Sequence, residues 1–316
     1  MKTICTIITS NYFPYAATLF KSLIKFNPQE KLNVLVCDNG NLDPAPLKYP
    51  GIKITRLKDL YGYSNTDSIF IKYKENDDAL RWSLKPVFIS YLLDHGFEKV
   101  IFTDCDIFFF NDYDFLFKDL NNADILLTLH RTTTNPKIDE DGFLSFFRFG
   151  MFNAGFVGAS KKGIPALQWW ARACLFKNEV NLNSGIYKDQ KYLDALPILF
   201  DNVKVIEHRG CNIAFWNQQE CERTLVNSQL LINKKYPIIF IHFTRKYIPE
   251  LLEGHDALIM PYFREYENCF RETGYQLSDF IPDLPEYKKP GPLLTLKRKL
   301  RIRTRIKNWL FRLSQK

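Results

Sequence analysis

Lys99-Val100-Ile101-Phe102-Thr103-Asp104-Cys105-Asp106 reads as a five-residue apolar strand that ends by delivering two carboxylates, one residue apart. Working outward, Leu84–Leu93 has the spacing of a helix and is closed by His95-Gly96. Further upstream, Gly51–Leu57 and Leu32–Cys37 read as strands, the latter closed by the turn residues Asp38-Asn39-Gly40. Ala16–Phe26 carries Leu19, Leu23 and Phe26 at helical spacing, and Thr3–Thr9 is a β-branched run that stops at Ser10-Asn11. Downstream the pattern is less regular. Asp124–Leu129, Phe156–Ala159, Val203–Ile206 and Ile238–Ile241 are expected strands, and Ile164–Phe176 an expected helix. This alternation predicts an α/β fold built on a mostly parallel, Rossmann-like sheet.

The carboxyl ends of the strands in such a sheet are where ligands bind. Two carboxylates at this spacing suit a hard divalent cation, with positions left open for phosphate oxygens. Asp-x-Asp is common by chance, and Asp112-Tyr113-Asp114 and Asp139-Glu140-Asp141 are two further instances, both in polar, turn-like settings. Only Asp104 and Asp106 follow a strand and precede the apolar run Ile107-Phe108-Phe109-Phe110. Burying two unpaired carboxylates there would cost several kcal/mol, so a compensating partner is expected.

The chain has 316 residues, 46% of them hydrophobic, enough for a sizeable core and too apolar for a disordered chain. Its net charge of +8 is misleading. Residues 295–316 hold nine Lys or Arg and no acid, so the remainder carries 34 basic against 35 acidic side chains. A nearly neutral body argues against a whole-surface nucleic-acid binder. Seven scattered cysteines without a Cys-x-x-Cys pair argue against a disulfide framework or a structural zinc site. No secretory signal or membrane-spanning stretch is evident, and a reducing, cytoplasmic setting is expected. Prolines 282, 285, 290 and 292 mark residues 282–292 as an extended spacer. Beyond it, 293–316 plots as a basic amphipathic helix. Ile302, Ile306, Trp309, Leu310 and Leu313 share an arc, with Arg298, Arg301, Arg305 and Arg312 opposite. An anionic membrane surface is its expected partner; a solvated terminal helix, a protein-docking helix and a nucleic-acid arm are the alternatives.

Other candidates each carry two readings. Asn153-Ala154-Gly155 offers an amide and a glycine where backbone must approach a ligand, or is a plain turn between strands. His242 follows the apolar run Ile238–Ile241 and is either a metal ligand at a strand end or a satisfied histidine. Asp189-Gln190 is a site pair or a helix start with Asp189 as cap. Trp216, flanked by Asn212 and Asn217, is an acceptor-side sugar platform or a core tryptophan.

Taken in order, these motifs resemble the nucleotide-sugar glycosyltransferases of the GT-A fold, most of all the retaining galactosyltransferase and glycogenin group. The resemblance runs from about residue 3 to 246. It implies a donor site formed by Thr9, Asn11 and Tyr12, with Ser22-Leu23 behind them and the Tyr12 ring against the nucleobase. Lys85 is similar in place to a basic donor contact. Asp104-Cys105-Asp106 resembles the metal motif, with His242 as third ligand, and Lys246 is placed near the diphosphate. Asn153, Ala154 and Gly155 resemble the turn beside the donor sugar. Asp189 and Gln190 resemble the catalytic-site pair. Departures are Lys191, where the family often has a second acid, and Arg245-Lys246-Tyr247 after the late histidine.

The resemblance implies a metal-dependent hexosyltransferase using Mn²⁺ or Mg²⁺ and a nucleoside diphosphate sugar, UDP-sugar favoured. The acceptor would be a glycan or lipid-linked sugar in cell-surface polysaccharide or lipopolysaccharide synthesis, transfer would proceed with retention, and nucleic acid would not be a partner. Residues 1–281 would form the catalytic domain, with a nucleotide-binding half of about 1–125 and an acceptor half of about 126–281. The protein would sit at the inner face of the membrane through 293–316. A sugar nucleotidyltransferase is the enzymatic alternative, yet Ser10-Asn11-Tyr12-Phe13-Pro14 lacks the expected glycine-rich loop. A membrane- or nucleic-acid-binding adaptor leaves the acidic and amide motifs unexplained.

Overall fold

The computed structural model describes residues 1–42 and 48–287. The expected tail 293–316, and the end of the 282–292 spacer, lie outside the described residues. The strands in chain order are β1 (Lys2–Ile8), β2 (Leu32–Val36), β3 (Ile52–Arg56), β4 (Lys99–Thr103), β5 (Ile107–Phe109), β6 (Ile125–Leu129), β7 (Phe152–Ser160), β8 (Val180–Asn181), β9 (Ile186–Tyr187), β10 (Val203–Val205), β11 (Arg223–Val226), β12 (Gln229–Ile232) and β13 (Phe240–His242). The helices are α1 (Phe13–Ile24), α2 (Thr66–Tyr73), α3 (Asp77–Asp94), α4 (Asp114–Asp119), α5 (Glu140–Phe149), α6 (Ile164–Phe176), α7 (Leu196–Leu199), α8 (Tyr247–Leu252) and α9 (Met260–Arg271).

Seven strands form one sheet in the order β10-β6-β7-β4-β1-β2-β3, and every neighbour pair is parallel except those made by β7. The mixed α/β, mostly parallel architecture is the one expected. Its central strands are buried on both faces, which is why β2 is buried at all five positions and reads as an apolar run broken only by Asn33, whose amide donates to Thr3 Oγ1 at 2.8 Å. One core lies between the sheet and α3 and α6, through Leu84, Phe88, Leu167 and Trp170. A second lies on the opposite face and gathers α1, α8 and α9, through Leu19, Tyr247, Phe263 and Tyr266. No helix among the described residues is long and apolar enough to cross a membrane.

Two differences from the sequence reading bear on the site. Helix α3 begins at Asp77, not Leu84: the Asn76 side chain accepts from the Ala79 N–H, and Asp77 and Asp78 occupy the first turn. Asn153-Ala154-Gly155 is not a turn but the start of the nine-residue strand β7, which pairs with β4 so that the Asp104 N–H donates to Gly155 O at 2.8 Å. A smaller two-stranded ribbon completes the frame. β13 runs antiparallel to β5 with His242 opposite Ile107, which brings the histidine next to Asp106.

Candidate functional site

A cleft of about 640 Å³ opens at the carboxyl end of β4. Its lining includes Tyr12, Lys85, Asp104, Cys105, Asp106, Asn153, Ala154, Gly155, Asp189, Gln190, Trp216, His242 and Lys246, residues the sequence reading had scattered over 235 positions of chain. Thr9 and Asn11 are not in the lining; the Thr9 hydroxyl donates to Asn11 Oδ1 at 2.6 Å beside it.

At the floor, ligand atoms of Asp104, Asp106 and His242 lie within 4.8 Å of one another. His242 Nε2 is 3.0 Å from Asp106 Oδ1 and 3.9 Å from Asp104 Oδ2. Burial opposes charge on both partners of the close pair, but their mutual attraction wins. It holds the His242 pKa above the ordinary histidine value and the Asp106 pKa below the usual carboxylate range. Two carboxylates and one imidazole converging on one point are a donor set for Mn²⁺ or Mg²⁺. Gly155 leaves the room for it. A Cβ there would stand 2.6 Å from His242 Cε1 and 3.0 Å from Asp104 Oδ2. The residues therefore fit the expected cation. Cys105, between the two acids, belongs to the hydrophobic core, and burial pushes its thiol pKa up.

Lys85 sits one layer above. Its ammonium is 3.0 Å from Asp104 Oδ1 and 3.3 Å from Asp189 Oδ2, and it donates to Ala154 O at 3.1 Å. Desolvation works against this charge, but the two carboxylates more than offset it and raise the lysine pKa. For Asp189, desolvation is the stronger influence and its pKa rises. Asp189 precedes the 3-10 turn Gln190–Ala195, yet its side chain makes no cap hydrogen bond; it turns to Lys85 instead. Its backbone is fixed from below, where the fully buried Trp170 of α6 donates its indole N–H to Asp189 O at 2.9 Å.

Gln190 is held at both ends of its amide. Oε1 accepts from the Ala154 N–H at 3.3 Å and Nε2 donates to Phe149 O at 2.9 Å. Asn153 Oδ1 accepts from the Gly155 N–H at 3.0 Å, while its Nδ2 faces His130 Nε2 at 3.2 Å. Tyr12 is stacked on Tyr15, with ring centroids 5.2 Å apart, and the Arg81 guanidinium lies 5.7 Å from its centre. Trp216 stands edge-on to His242 and His130, and its indole N–H finds no acceptor among the described residues. The Lys246 ammonium lies over Phe215 at 4.6 Å.

Sequence reasoning missed Arg81, Trp82, His130 and Lys188, all of which line the cleft. Arg81 was within reach, since it stands one helical turn before Lys85 and shares its face. His130 directly follows a strand end, the same position that singled out Asp104. Its Nδ1 lies 3.1 Å from Gly150 O, so Nδ1–H donates there and Nε2 accepts from Asn153. Burial lowers its pKa to about 4.

No family model matches the chain. Two uncharacterised proteins of Bacillus subtilis strain 168 are similar to it. YfnF is 26% identical over 247 residues, covering 76% of this chain and 80% of that protein. YfnD is 32% identical over 170 residues, 52% of each. Among solved structures, a crystal structure of the galactosyltransferase LgtC with donor and acceptor sugar analogues is similar at a TM-score of 0.50, with 18% identity over 90% of this chain and 98% of that one. What is shared at that identity is the architecture: the chain has the GT-A glycosyltransferase fold.

Proposed function

We propose that this chain transfers a sugar from a nucleoside diphosphate donor, UDP-sugar favoured, to a glycan or lipid-linked acceptor, using Mn²⁺ or Mg²⁺ held by Asp104, Asp106 and His242. The observation that carries this reading is the convergence of those three side chains within 4.8 Å at the floor of a cleft lined by aromatic rings and cations. When bound, the cation supplies charge stabilisation for the diphosphate as the sugar leaves it.

The protein's own residues do the rest. Tyr12, backed by Tyr15, offers a ring face for the base, and Arg81 a cation beside it. Lys246, an exposed cation of the cleft lining four residues after His242, is assigned to the diphosphate. Lys85 bridges Asp104 and Asp189, which holds the wall behind the sugar in place. Asn153 and Asp189 orient the sugar hydroxyls. Gln190, tied to Ala154 and Phe149, braces that wall; an amide is a poor nucleophile, and none is assigned. Trp216, whose side chain lines the cleft, is assigned to the acceptor side. Retention of configuration, the division near residue 125, a role in cell-surface polysaccharide or lipopolysaccharide synthesis, and attachment of 293–316 to the cytoplasmic face of an anionic membrane complete the proposal; these rest on the sequence.

The test is thermal stabilisation followed by donor hydrolysis. UDP should raise the melting temperature only when Mn²⁺ or Mg²⁺ is present, and Asp106→Asn should abolish that increment together with at least nine-tenths of the hydrolysis. Metal-independent stabilisation, or hydrolysis above a tenth of wild type in the mutant, would remove the assignment.

A further inference from the structure

Three groups of opposite charges lie in the cleft wall, while the exposed Arg245 and Lys246 of the same lining have no carboxylate at ion-pair distance among the described residues. Asp78 pairs with Arg81, Lys85 stands between Asp104 and Asp189, and Asp106 pairs with His242. Lys188 lines the same wall, half-buried, with no carboxylate at ion-pair distance among the described residues. Its ammonium instead lies 4.1 Å from the centre of the Trp82 ring and 5.5 Å from that of Tyr187. Burial lowers its pKa, as expected of a cation whose lost hydration is not made good by an ion pair.

The backbone adds a second observation. Lys188 has φ of 54°, the left-handed region in which glycine avoids the clash that a Cβ brings. The same hairpin does use glycine at such a point, Gly185 with φ of 68°. A non-glycine residue at positive φ in the cleft lining is backbone strain of the kind that clusters at ligand sites. The Lys188 N–H donates to Glu179 O at 2.8 Å, which fixes the direction in which that side chain leaves the hairpin.

We propose that Lys188, seated on Trp82, recognises an anionic group, a carboxylate or phosphate ester, carried by the sugar that enters the cleft. This deepens the glycosyl-transfer reading and rests on it. The anion arrives either on the donor, as a uronic acid, or on the acceptor. Asp189, next in sequence, turns its carboxylate to Lys85, so among the described residues no carboxylate sits at ion-pair distance from the Lys188 ammonium and a ligand anion can take that place. The Trp82 and Tyr187 rings hold the ammonium in the cleft wall, where an anion carried by a sugar can reach it.

Two titration arms separate the sources. The first compares UDP-glucose with UDP-glucuronate in Mn²⁺; the second compares methyl glucoside with methyl glucuronide and glucose 6-phosphate on protein saturated with UDP and Mn²⁺. In one arm the anionic compound should bind at least tenfold more tightly than its neutral twin. Lys188→Gln should bring that ratio below threefold, and Lys188→Arg should keep it above. Lys188→Gly removes the ammonium while relaxing the backbone, so it separates a lost contact from a damaged fold and should lose the ratio as the glutamine variant does. Equal affinities in both arms, or a ratio that survives Lys188→Gln, would overturn the proposal. Failure of UDP to bind with Mn²⁺ at all would instead refute the underlying reading, which does not involve Lys188, and would take this one with it.

Discussion

Gly155→Ala isolates the metal site with a single methyl group. Gly155 lies in the extended backbone of β7, so alanine is acceptable to its dihedral angles, and the difficulty is space alone. The added Cβ would stand 2.6 Å from His242 Cε1, 2.6 Å from Asn153 Oδ1 and 3.0 Å from Asp104 Oδ2. Carbon atoms rest at about 3.5–4.0 Å, so His242 must retreat by about 1 Å. Metal–ligand distances hold only to about 0.2 Å, so a retreat of that size takes the imidazole out of the coordination sphere. The fold should lose about 1–3 kcal/mol from overpacking. Mn²⁺ affinity should fall by about ten- to a hundredfold, equivalent to about 1.4–2.8 kcal/mol. Calorimetric titration of Mn²⁺ in the presence of UDP measures the second quantity, and urea unfolding without metal the first. Gly158→Ala is the control on the same strand. Its Cβ would press on Leu126 Cβ at 3.1 Å and touches no metal ligand, so it should destabilise without changing Mn²⁺ affinity. A Gly155→Ala protein that binds Mn²⁺ within twofold of wild type would refute the reasoning, because the histidine would then not be where the cation sits.

Tyr12→Ala should raise the donor KM several-fold with a smaller change in kcat, because stacking on the base contributes equally to ground and transition states; steady-state kinetics with unchanged KM would remove the stacking role. His130 sets an acid limit. Between its unfolded pKa of about 6.5 and its folded value of about 4, the unfolded chain binds a proton that the native state refuses. Its share of stability is therefore complete above pH 6.5 and is lost as pH falls, by about 3 kcal/mol near pH 4, and His130→Gln should flatten that part of the urea-unfolding profile; an unchanged slope would contradict it. Deleting 293–316 should release the protein from anionic vesicles in a flotation assay while slow donor hydrolysis persists, and continued flotation would place the anchor elsewhere.

How much of this was legible in the sequence depends on what each residue packs against. β4 and α6 were read with correct boundaries because their burial leaves continuous or 3.6-spaced apolar patterns. The first two turns of α3 were missed for the reason they matter: Asp78, Arg81 and Trp82 face the cleft rather than the core, so they break the apolar period. The cap Asn76 and the acids after it were visible and would have restored the start. His242 was found by following an apolar run. Its place beside Asp106 comes from the β13–β5 register, which is a pairing across some 130 residues that no local pattern contains.

Charge pairing lies deeper still. A sequence gives the sign of each group, whereas the energy of a pair depends on distance and on how far water is excluded. Lys85 was expected as a donor contact because of its sign and order in the chain. Only the fold shows it 3.0 Å from one carboxylate and 3.3 Å from another, both already counted among the site residues. Once that lysine is accounted for, Lys188 is a half-buried cation of the wall with no carboxylate at ion-pair distance among the described residues, and it had carried no signal of its own in the sequence. The backbone angle that marks it is a product of the hairpin around Gly185 and of the Glu179 carbonyl that receives its N–H. Motif order can therefore locate such a cleft, but which of its charges are paired is decided by contacts that exist only after folding.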